Sequence, residues 1–230
     1  MSLRHRDLTL TELMDDPACD PVRLAATYRR FGLVNRLVSG WGTVWGSRLA
    51  PALRALDRPA RVLDLGSGGG DLVLRLAALA RRDGLSVSWI GADPDPRAHA
   101  VAVDAAGPGI DFVCADSAEL LARGERFDAV ISNHVLHHLD GDALARFAAE
   151  SRALSTGTVL HSDIARGAIP YGLYAVGIAP LAAGTFLHTD GLRSIRRSYR
   201  PDELAAALGT GWHVGTPVPF RLLAEARGDA

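Results

Sequence analysis

The chain has 230 residues, with 25 Lys plus Arg against 26 Asp plus Glu and a formal net charge of −1. That length suits one domain with modest additions, and the charge balance supplies no basic excess for nucleic acid or an anionic membrane. Cys19 and Cys114 lie far apart without a CxxC pair, which argues against a disulfide framework or a cysteine-rich zinc site. The sequence contains no lysine, so lysine Schiff-base and lysine general-base chemistry are excluded.

In chain order, the start "MSLRHRDLTLTELMDD" is polar and has no apolar h-region, so no secretory signal is expected and the cytoplasm is the default location. Residues 1–20 show no period and are expected to form a loose lead-in. Two helical patterns follow, "PVRLAATYRRFGLVNRLV" and "GTVWGSRLAPALRAL", parted by Gly40 and Gly42. The period then changes. "ARVLDLG", "SVSWIGAD", "IDFVCAD", "FDAVISN" and "GTVLHSD" are short apolar runs bounded by turn residues, with helical stretches between them. Such alternation predicts βαβ units and a mostly parallel sheet covered on both faces. The tail "GWHVGTPVPFRLLAEAR" predicts an antiparallel hairpin closing the sheet.

The segment 165–200 interrupts this rhythm. Residues 168–187 carry no charge, nominally enough to cross a bilayer, yet they contain Gly172, Gly177, Gly184, Pro170 and Pro180 and sit between strands of one sheet. The expectation is a buried helical lid without stable membrane insertion; interfacial membrane contact is the alternative. Arg193, Arg196, Arg197 and Arg200 in "LRSIRRSYR" read as a solvated face, or else as a clamp for an acidic group.

"VLDLGSGGGD", residues 62–71, is the most informative stretch. Gly66 and Gly68 match the first two glycines of a dinucleotide turn, but the third position is Asp71. Asp71 and Asp64 would meet a diphosphate with like charge, which is costly in a low-dielectric site. A cationic cofactor removes the conflict. S-adenosylmethionine carries a sulfonium and an ammonium and no phosphate. Asp64 can hold the ammonium, Asp93 the ribose hydroxyls, and Asp116, followed by Ser117, the adenine amine. Each strand ends on an acid or amide: Asp64, Asp93, Asp116, Asn133 and Asp163. A nicotinamide-dependent reductase is disfavoured by the same acids.

"VLDLGSGGGDLVLRLA", "IGADPDPRAHAVA", "FVCADSAEL" and "FDAVISNHVLHHLDGDAL" resemble successive motifs of the class I S-adenosylmethionine-dependent methyltransferases over roughly residues 60–163. "YRRFGLVNRLVSGW" loosely resembles the lead-in of ubiquinone/menaquinone-type methyltransferases. The resemblance implies an α/β, Rossmann-like, doubly wound seven-stranded sheet, mostly parallel with an antiparallel last strand. It implies cofactor contacts at Asp64, Gly66, Ser67, Gly68, Asp93, Pro94, Asp116, Ser117 and Asn133. Pro94 and Asp95 depart from the commoner residues after the ribose acid.

In the family's geometry the residue after the Asn faces the acceptor, so His134 is the first candidate base. His138 is expected near the methionine part of the cofactor. His161, on the fifth strand, and His188, in the lid, are further pocket candidates. His137 reads as a packing or helix-start residue, and no metal is expected. The organisation expected is a helical lead-in over 1–56, a cofactor-binding core over 57–164 and 201–230, and a lid over 165–200. Tyr28, Trp41, Tyr171, Tyr174 and His188 are expected to line an apolar acceptor pocket. The expected function is methyl transfer from S-adenosylmethionine to a small aromatic or polyketide-like acceptor, on O or C. A macromolecular methyltransferase and a non-catalytic cofactor-binding partner subunit are the alternatives. A homodimer is compatible with the sequence, and no nucleic-acid partner is expected.

Overall fold

The structure is a computed structural model that describes residues 3–230. Seven strands form one sheet in the order β3-β2-β1-β4-β5-β7-β6. They are β1 Ala60–Leu65, β2 Val87–Ala92, β3 Ile110–Val113, β4 Phe127–Asn133, β5 Ser155–Ile164, β6 His213–Gly215 and β7 Arg221–Arg227. β1 to β5 pair in parallel; β7 runs antiparallel to both β5 and β6. This is the expected doubly wound sheet with its closing antiparallel strand, and the hairpin predicted for the tail is present.

The helices are α1 Pro21–Val38, α2 Trp41–Val44, α3 Ala50–Arg54, α4 Asp71–Arg82, α5 Pro96–Val103, α6 Ser117–Ala122, α7 Gly141–Leu154, α8 Ala168–Gly177, α9 Ala179–Ala182, α10 Leu187–Arg197 and α11 Pro201–Leu208. A π-turn at Trp45–Leu49 joins α2 to α3. One face of the sheet packs Val62, Ile131 and Leu160 against Leu72, Val73 and Leu76 of α4 and against Trp41, Trp45 and Leu49. The other packs Leu63, Val130 and Val159 against Leu120 and Leu154. The alternation within each strand thus sorts its residues between two buried faces, as a parallel sheet requires.

Three expectations are corrected. First, Trp41 is fully buried in the sheet core with Trp45, so residues 41–54 are part of that core and Trp41 lines no acceptor pocket. Large aromatic rings at these positions fill the layer between sheet and helices, where they bury the most apolar surface.

Second, residues 3–20 are not loose. They carry no regular secondary structure but are stitched down by polar contacts. Arg6 donates to the carbonyls of Arg197, His137 and Leu139, and its guanidinium stacks on Tyr199. Asp190 accepts from the backbone N–H groups of Leu13 and Met14. Arg193 and Arg196 bind Thr11 O and Asp7, and Arg197 donates to Leu10 O. The arginine cluster is therefore not a solvated face; it holds the N-terminal strap.

Third, the helical lid is not buried: the charge-free run 168–187 is broken into α8, α9 and the start of α10, neither α8 nor α9 contains a buried residue, and Ile169, Leu173 and Val176 stand exposed. Among the described residues no helix is long and apolar enough to cross a membrane.

Candidate active site

The carboxyl ends of β1 and β2 form a glycine turn between acids. Gly66, Gly68 and Gly70 all take positive φ (70°, 53° and 80°), which side-chain-bearing residues rarely adopt. At Gly66 a Cβ would also stand 2.5 Å from Val135, so the turn needs glycine there for space as well. Gly66 and Ser67 donate their N–H groups to Ala92 O, which pins the turn to β2. Asp93 accepts from the N–H of Gly68 at 2.8 Å and from that of Asp95 at 2.9 Å. Tyr28 of α1 packs on the turn: a Cβ at Gly69 would be 3.3 Å from the Tyr28 Cβ. Tyr28 thus meets the glycine turn and packs with Leu24, Ala98 and Phe186, rather than being seen in an acceptor pocket.

Three carboxylates crowd this turn. Asp64 is 1% exposed, and its Oδ1 has no hydrogen-bond partner among the described residues. Burial, then Asp71 and then Asp93, push its carboxyl well above the ordinary range. Burial also raises Asp71, even though Asn35 donates to it at 3.0 Å, and it raises Asp93. Among the described residues the chain places no cation on Asp64. A positively charged group seated there would restore its ionised form and relieve the mutual repulsion. The donor set therefore fits the ammonium-bearing cofactor expected from the sequence.

Other cofactor positions differ in detail. Asp116 is exposed and caps α6, with Oδ1 accepting from the Glu119 N–H, so only Oδ2 is left for a ligand. Ser117 is buried with its hydroxyl donated to Glu150 of α7, which takes that hydroxyl away from any cofactor. Pro94 lies exposed in the turn after β2. Asn133 ends β4 and accepts from Arg221.

The ends of β4, β5 and β7 hold a second charged cluster. His137 is 2% exposed, with Nδ1 at 2.8 Å from Asp163 Oδ1 and Nε2 at 3.2 Å from Glu12 Oε1. Burial opposes its charge, but Asp163 and Glu12 outweigh that and raise the imidazole to about 9. Asp163 is in turn held far below the usual carboxylate range, and Glu12 is also lowered. His137 is thus an imidazolium between two carboxylates, a larger role than the packing residue expected.

Its neighbour His138 is partly exposed, 3.8 Å from Glu12 and 3.5 Å from Asp15, and takes part in this strap cluster. Two groups, Glu12/His137/His138 and His134/His137/Asp163, bring donor atoms within 4.8 Å of one another. They share His137, whose two ring nitrogens already face carboxylates.

His134 follows β4 with φ 63°, a left-handed conformation that costs a non-glycine residue energy and marks it for scrutiny. Its N–H is fixed on Ser162 O at 3.0 Å. Its Nε2 stands 3.2 Å from Arg221 Nη1. A guanidinium can only donate, so Nε2 is the acceptor and the ring proton sits on Nδ1. Burial and then Arg221 hold the imidazole well below its usual value, hence neutral.

Arg221 starts β7 and is 3% exposed. It donates to Asn133 Oδ1 and Ser162 Oγ as well as to His134, while its Nε finds no partner among the described residues. Sequence reading missed Arg221 and Glu12 entirely. Neither belongs to a local motif; topology alone brings them to the β4 edge.

His161 is corrected outright. It packs in the core between Phe147 and Trp212, with Nδ1 2.8 Å from Ser132 Oγ, and burial lowers it to about 3. Along β5 its side chain points to the face opposite Ser162, away from Arg221. Tyr174 is also absorbed by structure, since its hydroxyl donates to Leu187 O and ties α8 to α10. Tyr171 and His188 do come together, in a groove of about 240 Å³ between α8 and α10. A larger cleft of about 650 Å³ lies beside the β5 and β7 ends, lined by Ala165, Ala168, Ile169, Pro170, Pro219 and Phe220.

Residues 62–157 match the family model described as a methyltransferase domain. A ubiquinone biosynthesis O-methyltransferase of Brucella anthropi is 34% identical over 154 residues, 66% of this chain and 58% of that protein. One from Azorhizobium caulinodans is 32% identical over 131 residues, 56% of this chain and 49% of that protein. The chain thus spans about half the length of these curated relatives. Among solved structures, the plantazolicin methyltransferase BpumL in complex with SAH superposes with a TM-score of 0.62 at 12% identity, over 94% of this chain and 92% of that one. The CurJ carbon methyltransferase gives 0.64 at 17% identity, over 92% and 61%. These structural likenesses establish the fold. Over residues 62–157 the chain is similar to a methyltransferase domain.

Proposed function

We propose that the protein transfers a methyl group from S-adenosylmethionine to a small acceptor of phenol, quinone or polyketide type. The observation that carries this reading is the buried Asp64 carboxylate, unpartnered and crowded by Asp71 and Asp93 at a glycine turn. Asp64 would hold the ammonium, Asp93 the ribose, and the turn's backbone would lie along the amino-acid part. When bound, the cofactor supplies an electrophilic methyl on sulfur. The chain's contribution is to hold donor and acceptor in line and to keep water out, which is where most of the rate in such a displacement arises.

The small-molecule reading is supported by the apolar cleft of about 650 Å³ beside the β5 and β7 ends. The relatives named for ubiquinone O-methylation support the same class of acceptor. Arg193, Arg196 and Arg197 are committed to the N-terminal strap, which favours a small acceptor over a protein or RNA substrate.

The test is direct. Purified protein, cofactor and a panel of phenols, quinones and polyketide aromatics are incubated, and mass spectrometry looks for the gain of one methyl. Saturable cofactor binding with methylation of one acceptor class is expected. Failure of the wild type to bind S-adenosylmethionine or its demethylated product would overturn the reading.

A further inference from the structure

The sequence suggests His134 as a general base, and the geometry points elsewhere. A base needs a free lone pair aimed at the acceptor's proton. The Nε2 lone pair of His134 is engaged by Arg221 Nη1 at 3.2 Å. Its Nδ1 carries the proton and stands 4.0 Å from Asp163 Oδ1, outside hydrogen-bond reach. Asp163 cannot come closer for its benefit: Oδ1 serves His137 Nδ1 and the Ile164 N–H, and Oδ2 serves the His137 N–H. The His134 side chain keeps 25% exposure while Arg221 behind it is buried. One N–H of a neutral imidazole is left unused at the carboxyl end of β4, with a cation directly behind it.

We infer that His134 acts as a neutral hydrogen-bond donor to an oxyanion, and that Arg221 is the positioning residue that fixes it in that form. The acceptor class follows: a small molecule whose reacting oxygen is an acidic phenol or enol, taken up already ionised. This rests on the methyl-transfer reading and deepens it.

The step then balances without a base. The acceptor's proton leaves to solvent before binding. The oxyanion's lone pair forms the new O–C bond as the methyl C–S bond breaks with its electrons on sulfur. A methyl ether and the neutral thioether result. His134 Nδ1–H orients the oxyanion, and the Arg221 charge, relayed through the ring, favours the ionised acceptor.

The charged and titratable groups that face His134 fit this assignment. Arg221 of β7 disfavours a second proton on the ring, and so does His137, in the turn at Leu136–His138, at 6.2 Å between ring centroids. Asp163 of β5 and Glu12 of the strap favour protonation, but both already serve His137. His134 at φ 63°, and Phe220 at φ 64° next to Arg221, both take left-handed backbone.

Nitrogen-15 NMR of histidine-labelled full-length protein tests the assignment without any turnover. The resonances that vanish in His134→Asn should belong to an Nδ1–H tautomer that does not titrate between pH 9 and 5. In Arg221→Met the same ring should lose its fixed Nδ1–H form and titrate at higher pH than in the wild type. Arg221→Lys keeps a cationic donor and should preserve the wild-type tautomer, which separates this role from mere packing. A wild-type His134 that is Nε2–H, or that titrates between pH 6 and 8, overturns the inference, and the wild-type spectrum alone is enough to decide this.

The acceptor class is probed with 4-nitrophenol, whose visible absorbance reports ionisation, on protein saturated with the demethylated cofactor. The phenolate should bind at least about tenfold tighter than the neutral phenol, as an opposite charge close behind the donor would favour, and Arg221→Met should abolish the preference. Equal binding of the two forms, or no saturable phenolate binding, contradicts the proposal. Failure of cofactor binding with the tautomer intact would sink the methyl-transfer reading instead.

Discussion

The two halves of the sheet's carboxyl edge treat their charges in opposite ways. At β1 and β2 the chain buries Asp64 and half-buries Asp71 and Asp93 around a glycine turn, and among the described residues it gives Asp64 no cation. At β4, β5 and β7 it buries Asp163, Glu12, His137 and Arg221 and supplies nearly every one with a partner from the chain itself. Burying an uncompensated charge costs several kcal/mol, so a carboxyl such as Asp64 holds its proton until a cation from outside the chain is seated beside it. The difference separates the edge proposed to take the cofactor from the edge that fastens the strap and carries His134 and Arg221. Glu12, His137 and Ser194 join strap, turn and α10 in one contact.

Breaking the paired edge should have the largest effect on stability. Asp163→Asn leaves the His137 charge half-compensated in the core and should cost about 3–5 kcal/mol in urea denaturation. A loss below about 1 kcal/mol would mean that the pair is not buried as described.

The pH dependence sharpens the same contrast. His137 is raised to about 9, so its contribution is fully present below its unfolded value near 6.5 and is lost as pH rises through about 9. Stability should fall by about 1–3 kcal/mol between pH 7 and 10, and His137→Gln should flatten that slope. Asp163 and Glu12 are lowered, so their contribution is present above the ordinary carboxylate range and is lost on acidification. Asp64 carries the opposite sign: raised in the fold, it weighs against the fold as pH rises above the ordinary carboxylate range and not in acid.

The smallest effect belongs to Asp116. Its Oδ1 caps α6, so Asp116→Asn keeps the helix start and should leave stability within about 0.5 kcal/mol. Cofactor affinity should fall only a few-fold, about 0.5–1.5 kcal/mol. A hundredfold loss in calorimetry would show that Asp116 matters more than its exposure suggests.

What was legible in the sequence divides along the same line. The glycine turn, the acids at the strand ends and the alternation of strands and helices are local or periodic signals, while the seven-stranded form of the sheet was implied by the family resemblance. A turn needs its glycines at fixed offsets, and a parallel strand needs its apolar run. The paired edge is built from residues 12, 134, 137, 163 and 221, which only the tertiary fold assembles, so no spacing announces it. Trp41 and His161 failed as pocket residues for a related reason. An aromatic ring or an imidazole suits a core as well as a cleft, and burial decides which. The strap over residues 3–20 lacked any period because side-chain contacts to backbone carbonyls, not a helix or strand, hold it in place.

The most direct test of the contrast is a paired measurement on Asp64→Asn: thermal stability without cofactor, and calorimetric affinity for S-adenosylmethionine. Removing an uncompensated buried charge should leave the ligand-free protein as stable as the wild type or more so. It should weaken the cofactor about ten- to a hundredfold, the worth of a charge-assisted hydrogen bond of about 1.5–3 kcal/mol. A variant that loses stability while binding the cofactor with wild-type affinity would show that Asp64 serves the fold and not the ligand, and would contradict the account.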